Sequence, residues 1–180
     1  MIKLDLLEKK DLKRIIEWNV NKSSDDLLQW AGPMYNYPLT LAQVQYYFLN
    51  EVKKDNSNIY VYQIRLINTD QIIGTVELRE IDKNNRVGKI CRFLIGEKNN
   101  RGKGIGTEVL KEAIRIGFED MKFQKITLGV FDFNHSAIKC YENVGFTKEK
   151  FLENVRKSST GYWNLYEMEI SKTKWQVKNE

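Results

Sequence analysis

Residue types that often identify a function are scarce in this chain. One histidine and two cysteines in 180 residues are too few for a standard structural zinc site, so no metal is expected. Two cysteines also make a poor disulfide framework, and Cys91 and Cys140 are therefore expected to be reduced thiols in a cytoplasmic protein. No apolar run is long enough to span a bilayer, and residues 1–5 lack the apolar block of a secretion signal.

The charge of the chain is positive but dispersed. A net charge of +5 suits either a nucleic-acid-binding protein or an enzyme that binds a polyanionic cofactor. Acidic residues are interleaved with the basic ones, as in residues 8–11 and 148–150, and this pattern favours a solvated surface over a nucleic-acid footprint. With 42% hydrophobic residues and no linker or repeat, residues 1–180 are expected to form a single domain.

Hydrophobic periodicity predicts a fold that begins with a strand, three helices and a hairpin. These elements are predicted over residues 2–7, 11–19, 24–30, 40–52, 58–66 and 71–81. The C-terminal part is predicted as a strand, a helix, a strand, a helix and a hairpin, over residues 88–96, 107–118, 125–131, 134–145, 149–156 and 161–170. This order predicts an α/β protein with a mixed sheet, in which the 107–120 helix joins a central parallel pair.

The segment Arg101-Gly102-Lys103-Gly104-Ile105-Gly106 is the most informative part of the chain. Its three alternating glycines allow the backbone to approach a ligand closely, because they have no Cβ atom. The helix that follows directs its unpaired N–H groups and its positive dipole end at the same place. Although one glycine would suffice for a tight turn, three glycines with two cations favour an anion site for a phosphate or pyrophosphate.

Two common phosphate motifs do not fit this segment. A Walker A loop requires a hydroxyl residue after Gly-Lys, but Gly104 follows Lys103, and Glu97 occupies the place of the first glycine. A dinucleotide fingerprint that started at Gly102 would need its third glycine at Thr107. The phosphate compound must therefore belong to another class.

The loop and a second motif together resemble the GNAT N-acetyltransferases. Arg101-x-x-Gly104-x-Gly106 looks like the acetyl-CoA pyrophosphate loop of that superfamily. Residues 134–141, Asn-His-Ser-Ala-Ile-Lys-Cys-Tyr, followed by Gly145-Phe146, resemble its Asn-x-x-Ala-x-x-x-Tyr-x-x-x-Gly-Phe helix. The resemblance covers residues 60–170 well. Residues 17–19 and 38–40 look more loosely like the branch that acetylates ribosomal-protein N-termini, polyamines or small amines.

The resemblance implies a fold and a binding mode for the cosubstrate, acetyl-CoA. The fold is a mixed, mostly antiparallel sheet of about six or seven strands with flanking helices, splayed at the acetyl-CoA site. The pantetheine arm is expected to pair with the exposed backbone of one strand as an added strand would. By position, the strand groups belong to Leu94, Ile95 and Gly96. The diphosphate is expected on Arg101 and on the N–H groups of Gly102, Lys103, Gly104, Ile105, Gly106 and Thr107.

The second motif implies roles for two residues of its helix. Asn134 can cap the helix and also reach the cofactor amides. Tyr141 lies two turns further on the same face, where its phenol can donate a proton to the departing CoA thiolate. Without the surrounding motif, Tyr141 would be read as a core aromatic residue. His135 is expected to be exposed, and Cys140 is expected to point away from Tyr141 and to serve packing.

A general base for the acceptor amine is harder to identify. Glu77 is the best candidate, because Val76 and Leu78 should face the other side of its strand. The alternatives are Glu80, Asp25 and Asp26. Each of these residues could equally be an ordinary surface carboxylate. The aromatic residues Trp30, Tyr35 and Tyr37 could line an acceptor pocket or cover the core from a loop.

The sequence therefore predicts an N-acetyltransferase in which a primary amine attacks the thioester of acetyl-CoA directly. The acceptor is expected to be a small amine, a polyamine or a protein N-terminus, and no nucleic-acid or membrane partner is expected. The final hairpin could pair across a homodimer. A non-catalytic acyl-CoA-binding module and, less favoured, a basic nucleic-acid-binding protein are the alternatives.

Overall fold

The structure, a computed structural model, describes residues 1–179, so Glu180 lies outside the described residues. This part of the chain contains seven strands and six α-helices. The strands are β1 Ile2–Leu6, β2 Ile59–Leu66, β3 Ile72–Asp82, β4 Val87–Ile95, β5 Lys125–Phe131, β6 Thr147–Ser158 and β7 Gly161–Ser171. The helices are α1 Leu12–Glu17, α2 Ser24–Ala31, α3 Leu41–Tyr47, α4 Ile105–Arg115, α5 His135–Val144 and α6 Lys172–Asn179.

The seven strands form one sheet in the order β1-β2-β3-β4-β5-β7-β6. All neighbouring strands described are antiparallel except β4 and β5, which are parallel and joined by α4. The predicted mixed, mostly antiparallel sheet with a central parallel pair is thereby confirmed. Within residues 1–179, no helix combines the length and the apolar character needed to cross a bilayer.

Local capping explains where the helices begin and end. Ser23 caps α2 through a reciprocal hydrogen-bond pair with Asp26. Asn134 caps α5, and Gly145 ends it in the left-handed conformation at φ +111°, as predicted. Two helices, α3 and α4, continue as π-helical segments, over residues 48–52 and 116–120. Helix α6 was not predicted, because its apolar residues show no regular helical spacing.

Two apolar clusters cover the two faces of the sheet. One packs α4 and α5 against residues such as Val76, Leu78 and Ile126, all of which are fully buried. The other packs α1 and α3 against the opposite face, with Val44 and Val61 among its members. Glu77 alternates with Val76 and Leu78 and so faces the second cluster, as predicted.

The centre of the sheet opens where β4 and β5 part. Their parallel pairing covers only residues 87–89 and 125–127, while β5 stays paired with β7 over its whole length. Further along β4, the register against β3 shifts between Thr75 and Glu77, which is a β-bulge. Arg92 lies in this bulge with φ +45°, a conformation that is uncommon for a residue with a side chain. The bulge bends β4 away from β5 and opens a wedge between them.

Candidate active site

The wedge between β4 and β5 forms a cavity with a volume of about 550 Å³. Its walls come from residues 90–95 and 129–131 of the two strands. The glycine loop and the start of α4 close one end, and residues of α2 and of the segment before it close the other. The cleft thus brings together the two sequence motifs, which are separated by one helix and one strand.

The glycine loop presents bare main chain to one end of the cleft. Gly102 and Gly104 have φ values of +74° and +77°, and a Cβ atom built on either of them meets nothing within 4 Å. The N–H groups of residues 102–106 make no hydrogen bond to any residue in 1–179. Because α4 begins at Ile105 rather than at the predicted Thr107, its dipole end lies inside the loop. This end of the cleft fits a diphosphate.

Two members of the predicted diphosphate set are already hydrogen bonded. The Thr107 N–H donates to the Gly104 carbonyl at 3.0 Å. The Arg101 guanidinium donates to the Ile95 carbonyl, at 2.9 Å from Nε and 2.6 Å from Nη2, and so ties the loop to the end of β4. The Thr107 N–H would have to exchange this bond to bind a phosphate directly, whereas the Nη1 donors of Arg101 make no hydrogen bond within the described residues.

The alternation of β4 decides which backbone groups face the cleft. The Gly96 N–H donates to Ile73 on β3 at 2.8 Å, and the Leu94 carbonyl also points at β3, towards Gly74. Since neighbouring residues of a strand point their backbone groups in opposite directions, Ile95 and the residue before Leu94, Phe93, face the wedge. Leu94 and Gly96 thus direct these backbone groups at β3, whereas the Ile95 N–H and the backbone of Phe93 are available to an added strand; the Ile95 carbonyl already accepts from Arg101. The predicted binding set stays a prediction.

Asn134 lies on the opposite wall of the cleft from β4. Its Oδ1 accepts hydrogen bonds from the Ala137 N–H at 3.3 Å and from the Ser136 hydroxyl at 3.2 Å. Its amide nitrogen makes no hydrogen bond within the described chain, so the two N–H donors are free to reach a ligand in the cleft. Asn134 can therefore serve as cap and ligand contact together, as the sequence suggested.

Tyr141 lines the same cleft two helical turns beyond Asn134. Its ring packs edge-on against Phe146, with 6.1 Å between the ring centroids. Its hydroxyl makes no hydrogen bond to any residue in the described range. Burial, and to a lesser extent Cys140, raises the pKa of the phenol above its ordinary value of 10.0. The phenol therefore keeps its proton at neutral pH and has that proton available for a ligand.

Cys140 packs against α4, in agreement with its expected packing role. Its thiol lies 3.3 Å from the Thr107 hydroxyl across the contact between α4 and α5, and it also lines the cleft. The reason is that α4 passes close beside this turn of α5, so the space next to Gly106 is part of the same cavity. His135 is exposed, as predicted.

Glu77 is buried to 1% exposure beside the other end of the cleft. Its carboxylate accepts a hydrogen bond from the Tyr47 hydroxyl at 2.7 Å, pairs with Arg79 at 3.1 Å and makes a short ion pair with Arg92. Glu77 does not line the 550 Å³ cleft, whereas Arg92 does. The predicted base is thus separated from the cleft by an arginine side chain, and its role as a base remains a hypothesis.

The other base candidates are spread over different surroundings. Asp25 accepts hydrogen bonds from the backbone and hydroxyl of Ser159, which link α2 to the β6–β7 turn. Asp26 lines the cleft, but hydrogen bonds from the N–H and hydroxyl of Ser23 lower its pKa. Glu80 has the same strand parity as Leu78 and lies on the opposite face from Glu77. Of these three carboxylates, only Asp26 lines the cleft.

Two tryptophan side chains line the cleft. Trp18 donates from Nε1 to Glu97 at 3.1 Å and lies against Gly96, where a Cβ would come within 2.2 Å of its ring. Trp30 donates to the Asn19 side chain at 3.0 Å and lines the cleft. Of the predicted aromatic trio, only Trp30 is on the cleft wall. Tyr35 lies behind it with its ring 6.0 Å from that of Tyr47, and Tyr37 is 57% exposed at a separate groove.

Sequence reasoning missed Arg92 and Tyr47. Both side chains meet Glu77, yet the three residues are 45 positions apart at most and share no motif. The one signal available was an arginine in an otherwise apolar strand, Ile90-Cys91-Arg92-Phe93-Leu94-Ile95. A cation at that position needs a buried partner, which is what Glu77 supplies.

Comparison with known proteins identifies the family. Residues 24–146 match the model of the acetyltransferase (GNAT) family, which is more than half of the chain. The chain therefore belongs to the GNAT family and is an acetyl-CoA-dependent N-acetyltransferase. Both sequence motifs fall inside the matched range.

The relatives include enzymes that act on small amines. The chain is 24% identical to the spermidine N(1)-acetyltransferase of Vibrio cholerae over 177 residues, which cover 98% of this chain and 96% of that protein. It is 27% identical to an aminoglycoside N(6')-acetyltransferase type 1 of Klebsiella pneumoniae over 82% of this chain and 75% of that protein. The expected likeness to a polyamine and small-amine branch is thereby confirmed.

A solved structure shows the same fold. The crystal structure of spermidine N-acetyltransferase from Vibrio cholerae, in complex with CoA and spermine, superposes with a TM-score of 0.84 at 23% identity. The superposition covers 97% of this chain and 98% of that chain.

Proposed function

We propose that this protein transfers the acetyl group of acetyl-CoA to the amine of a small acceptor by direct attack of the amine on the thioester. The observation that carries the proposal is the wedge, which is open to the glycine loop at one end and to Arg92 and Trp30 at the other. One cavity can therefore hold both substrates together. No described cysteine is placed as a covalent carrier, because burial raises the pKa of Cys91 to about 11 and Cys140 lies beside the glycine loop.

The coenzyme end acts mainly through main-chain groups. The N–H groups of Gly102 to Gly106 bind the diphosphate at the start of α4. The backbone of Phe93 and the Ile95 N–H pair with the pantetheine arm, and the Asn134 amide donates to the same arm. The Phe93 N–H, next to the bulge, is the donor best placed to polarise the thioester carbonyl.

Proton transfers complete the proposed reaction. As the C–S bond breaks, the Tyr141 phenol donates its proton to the leaving sulfur, and the thiolate leaves as the CoA thiol. The attacking nitrogen forms the new C–N bond and loses one proton. Glu77 can receive that proton only through water, because it does not lie on the cleft wall.

Turnover with a panel of amines tests the proposal. Free thiol should appear only when acetyl-CoA, protein and an amine are present together, and the amine should gain 42 mass units, about the mass of an acetyl group less a proton. Glucosamine, spermidine, an amino acid and a short peptide cover the chemical range. Binding of acetyl-CoA without turnover of any amine would instead support a non-catalytic acyl-CoA-binding module.

We propose three further properties of this protein. We expect residues 1–180 to act as one N-acetyltransferase domain, and we expect a cytoplasmic location without a nucleic-acid or metal partner. The β6–β7 hairpin is proposed as a homodimer contact, because β6 is an exposed edge strand of 12 residues. Sedimentation or light scattering of the purified chain checks the oligomeric state.

A further inference from the structure

We propose that the acceptor carries an acidic group, a carboxylate or a phosphate, close to its reactive amine, and that Arg92 recognises this group. This inference rests on the proposed function, because it assigns a substrate class to the same cleft. It differs from the polyamine acceptors of the relatives, which are cationic along their length.

Arg92 stands at the boundary between the cleft and the buried network. Its side chain is 15% exposed and lines both the large cleft and a small cavity that contains Glu77 and Tyr47. The bulge in β4 directs the side chain to this place, because the left-handed conformation at φ +45° re-aims the strand. An arginine held in a strained backbone conformation on a cleft wall is typical of a functional position.

The guanidinium of Arg92 has donors left over. Nη1 donates to Glu77 and, at 3.3 Å, to the Tyr47 hydroxyl, and the guanidinium lies 5.1 Å from the centre of the Tyr47 ring. Nε is buried and has no hydrogen-bond partner. Nη2 makes no hydrogen bond to any residue in 1–179. The Nε and Nη2 edge of an arginine is the edge that binds a carboxylate or phosphate in a bidentate manner.

The net charge of the buried network also favours the binding of an anion. Two arginines, Arg79 and Arg92, share the single carboxylate of Glu77. Burial raises the pKa values of Tyr47 and Tyr35, so both phenols are neutral and do not offset the second cation. The network therefore carries one uncompensated positive charge next to the cleft, and an acidic group on the acceptor would balance it.

The rest of the cleft wall does not favour a polycation. Its charged side chains are Lys22, Arg92, Arg101 and Asp26, of which three are cations. The one carboxylate among the described wall residues, Asp26, already accepts two hydrogen bonds from Ser23 at 2.9 Å. A second or third ammonium group of a polyamine would thus meet more cations than anions.

Matched pairs of amines test this inference. We would measure kcat/KM by release of free thiol for phosphoethanolamine against ethanolamine, for β-alanine against its amide, and for spermidine. The acidic member of at least one pair should be favoured by about tenfold or more, with spermidine below it. The two pairs distinguish a phosphate from a carboxylate.

Variants link the preference to Arg92. Arg92→Gln should lower kcat/KM for the favoured acidic amine at least about fivefold more than for its neutral partner. Arg92→Lys should keep part of the preference for the acidic amine, because it retains the charge but loses the bidentate edge. This variant tests the role of Arg92 if Arg92→Gln does not fold. Arg86→Gln is the matched control, because this exposed arginine lies just before β4, at the far end from the cleft. Its replacement should leave kcat/KM unchanged for both amines of a pair.

Three results would overturn the inference. Equal or better turnover of the neutral amines or of spermidine would refute the acidic acceptor while leaving the proposed function intact. An Arg92→Gln loss that is equal for both members of a pair would remove Arg92 as the recognition residue. Absence of turnover with every amine would overturn the proposed function, and this inference with it.

Discussion

The two ends of the cleft are built in different ways. The coenzyme end consists of main chain from one short stretch, residues 93–106, together with the start of α5. At the acceptor end, Arg92 lines the cleft, and behind it lies a network of side chains from distant segments, Tyr47, Glu77 and Arg79, joined to it by hydrogen bonds and ion pairs. The first end offers bare N–H groups, and the second offers a buried, partly unbalanced set of charges.

This difference shows how a coenzyme site and an acceptor site can share one cavity. A diphosphate needs only closely spaced amides and a helix start, which glycine spacing encodes locally. An acceptor must be told apart from other amines, which requires several side chains held in fixed places. Substitutions at the two ends should therefore have different kinetic effects. Those at the coenzyme end should alter coenzyme binding, and those at the acceptor end should alter the kinetics with the acceptor amine.

The largest effect is expected at Tyr141, between the two ends. Tyr141→Phe should lower kcat by about 10²–10⁴-fold, because the phenol proton is lost while the ring keeps its contact with Phe146. The CoA dissociation constant, measured by calorimetry, should change little. Tyr162→Phe at an exposed position is the control and should leave kcat unchanged. A normal kcat for Tyr141→Phe would remove this residue from the mechanism.

Coenzyme binding is expected to depend on Gly104. Gly104→Val should weaken CoA binding by about 100-fold, because a branched side chain fills the space above the loop and the φ of +77° costs about 1–3 kcal/mol. Calorimetry with CoA measures the loss. Gly161→Val is the control, because that glycine also has a positive φ and open surroundings but lies in the β6–β7 turn. Equal CoA affinities for wild type and Gly104→Val would refute the loop as the diphosphate site.

Acceptor binding is expected to depend on Glu77. Glu77→Gln should raise the acceptor KM by about tenfold, because Arg92 and Arg79 lose their shared counter-charge and shift position. CoA affinity should stay the same, which would separate the two ends. A kcat that falls strongly at neutral pH and recovers at high pH would instead show that Glu77 acts as the general base.

The smallest effect is expected in the alkaline pH profile. Because burial raises the pKa of Tyr141 above 10, the phenol stays protonated as the pH rises, and its charge state should not limit activity below that point. We expect kcat to vary by no more than about twofold between pH 8 and 9.5 once the amine is saturating. A decline with an apparent pKa below 10 that disappears in Tyr141→Phe would contradict this placement.

The fold and the coenzyme end were largely predictable from local patterns. The cap at Asn134, the stop at Gly145 and the strand over residues 125–131 depend on neighbouring residues, and the structure has all three. The start of α4 at Ile105 was predicted two residues too late, because glycine and β-branched residues weaken the helical signal. The role of Phe93 was missed because the parity of a bulged strand cannot be counted from sequence alone.

The sequence alone determined where a diphosphate could bind, because glycine spacing, a helix start and a capping asparagine act within a few residues of one another. Only the tertiary structure decided what faces the acceptor. The sheet places β3 beside β4, the bulge turns Arg92 inward, and Tyr47 arrives from a helix on the other side of Glu77. Contacts between such distant segments depend on register and packing, and no local pattern records them.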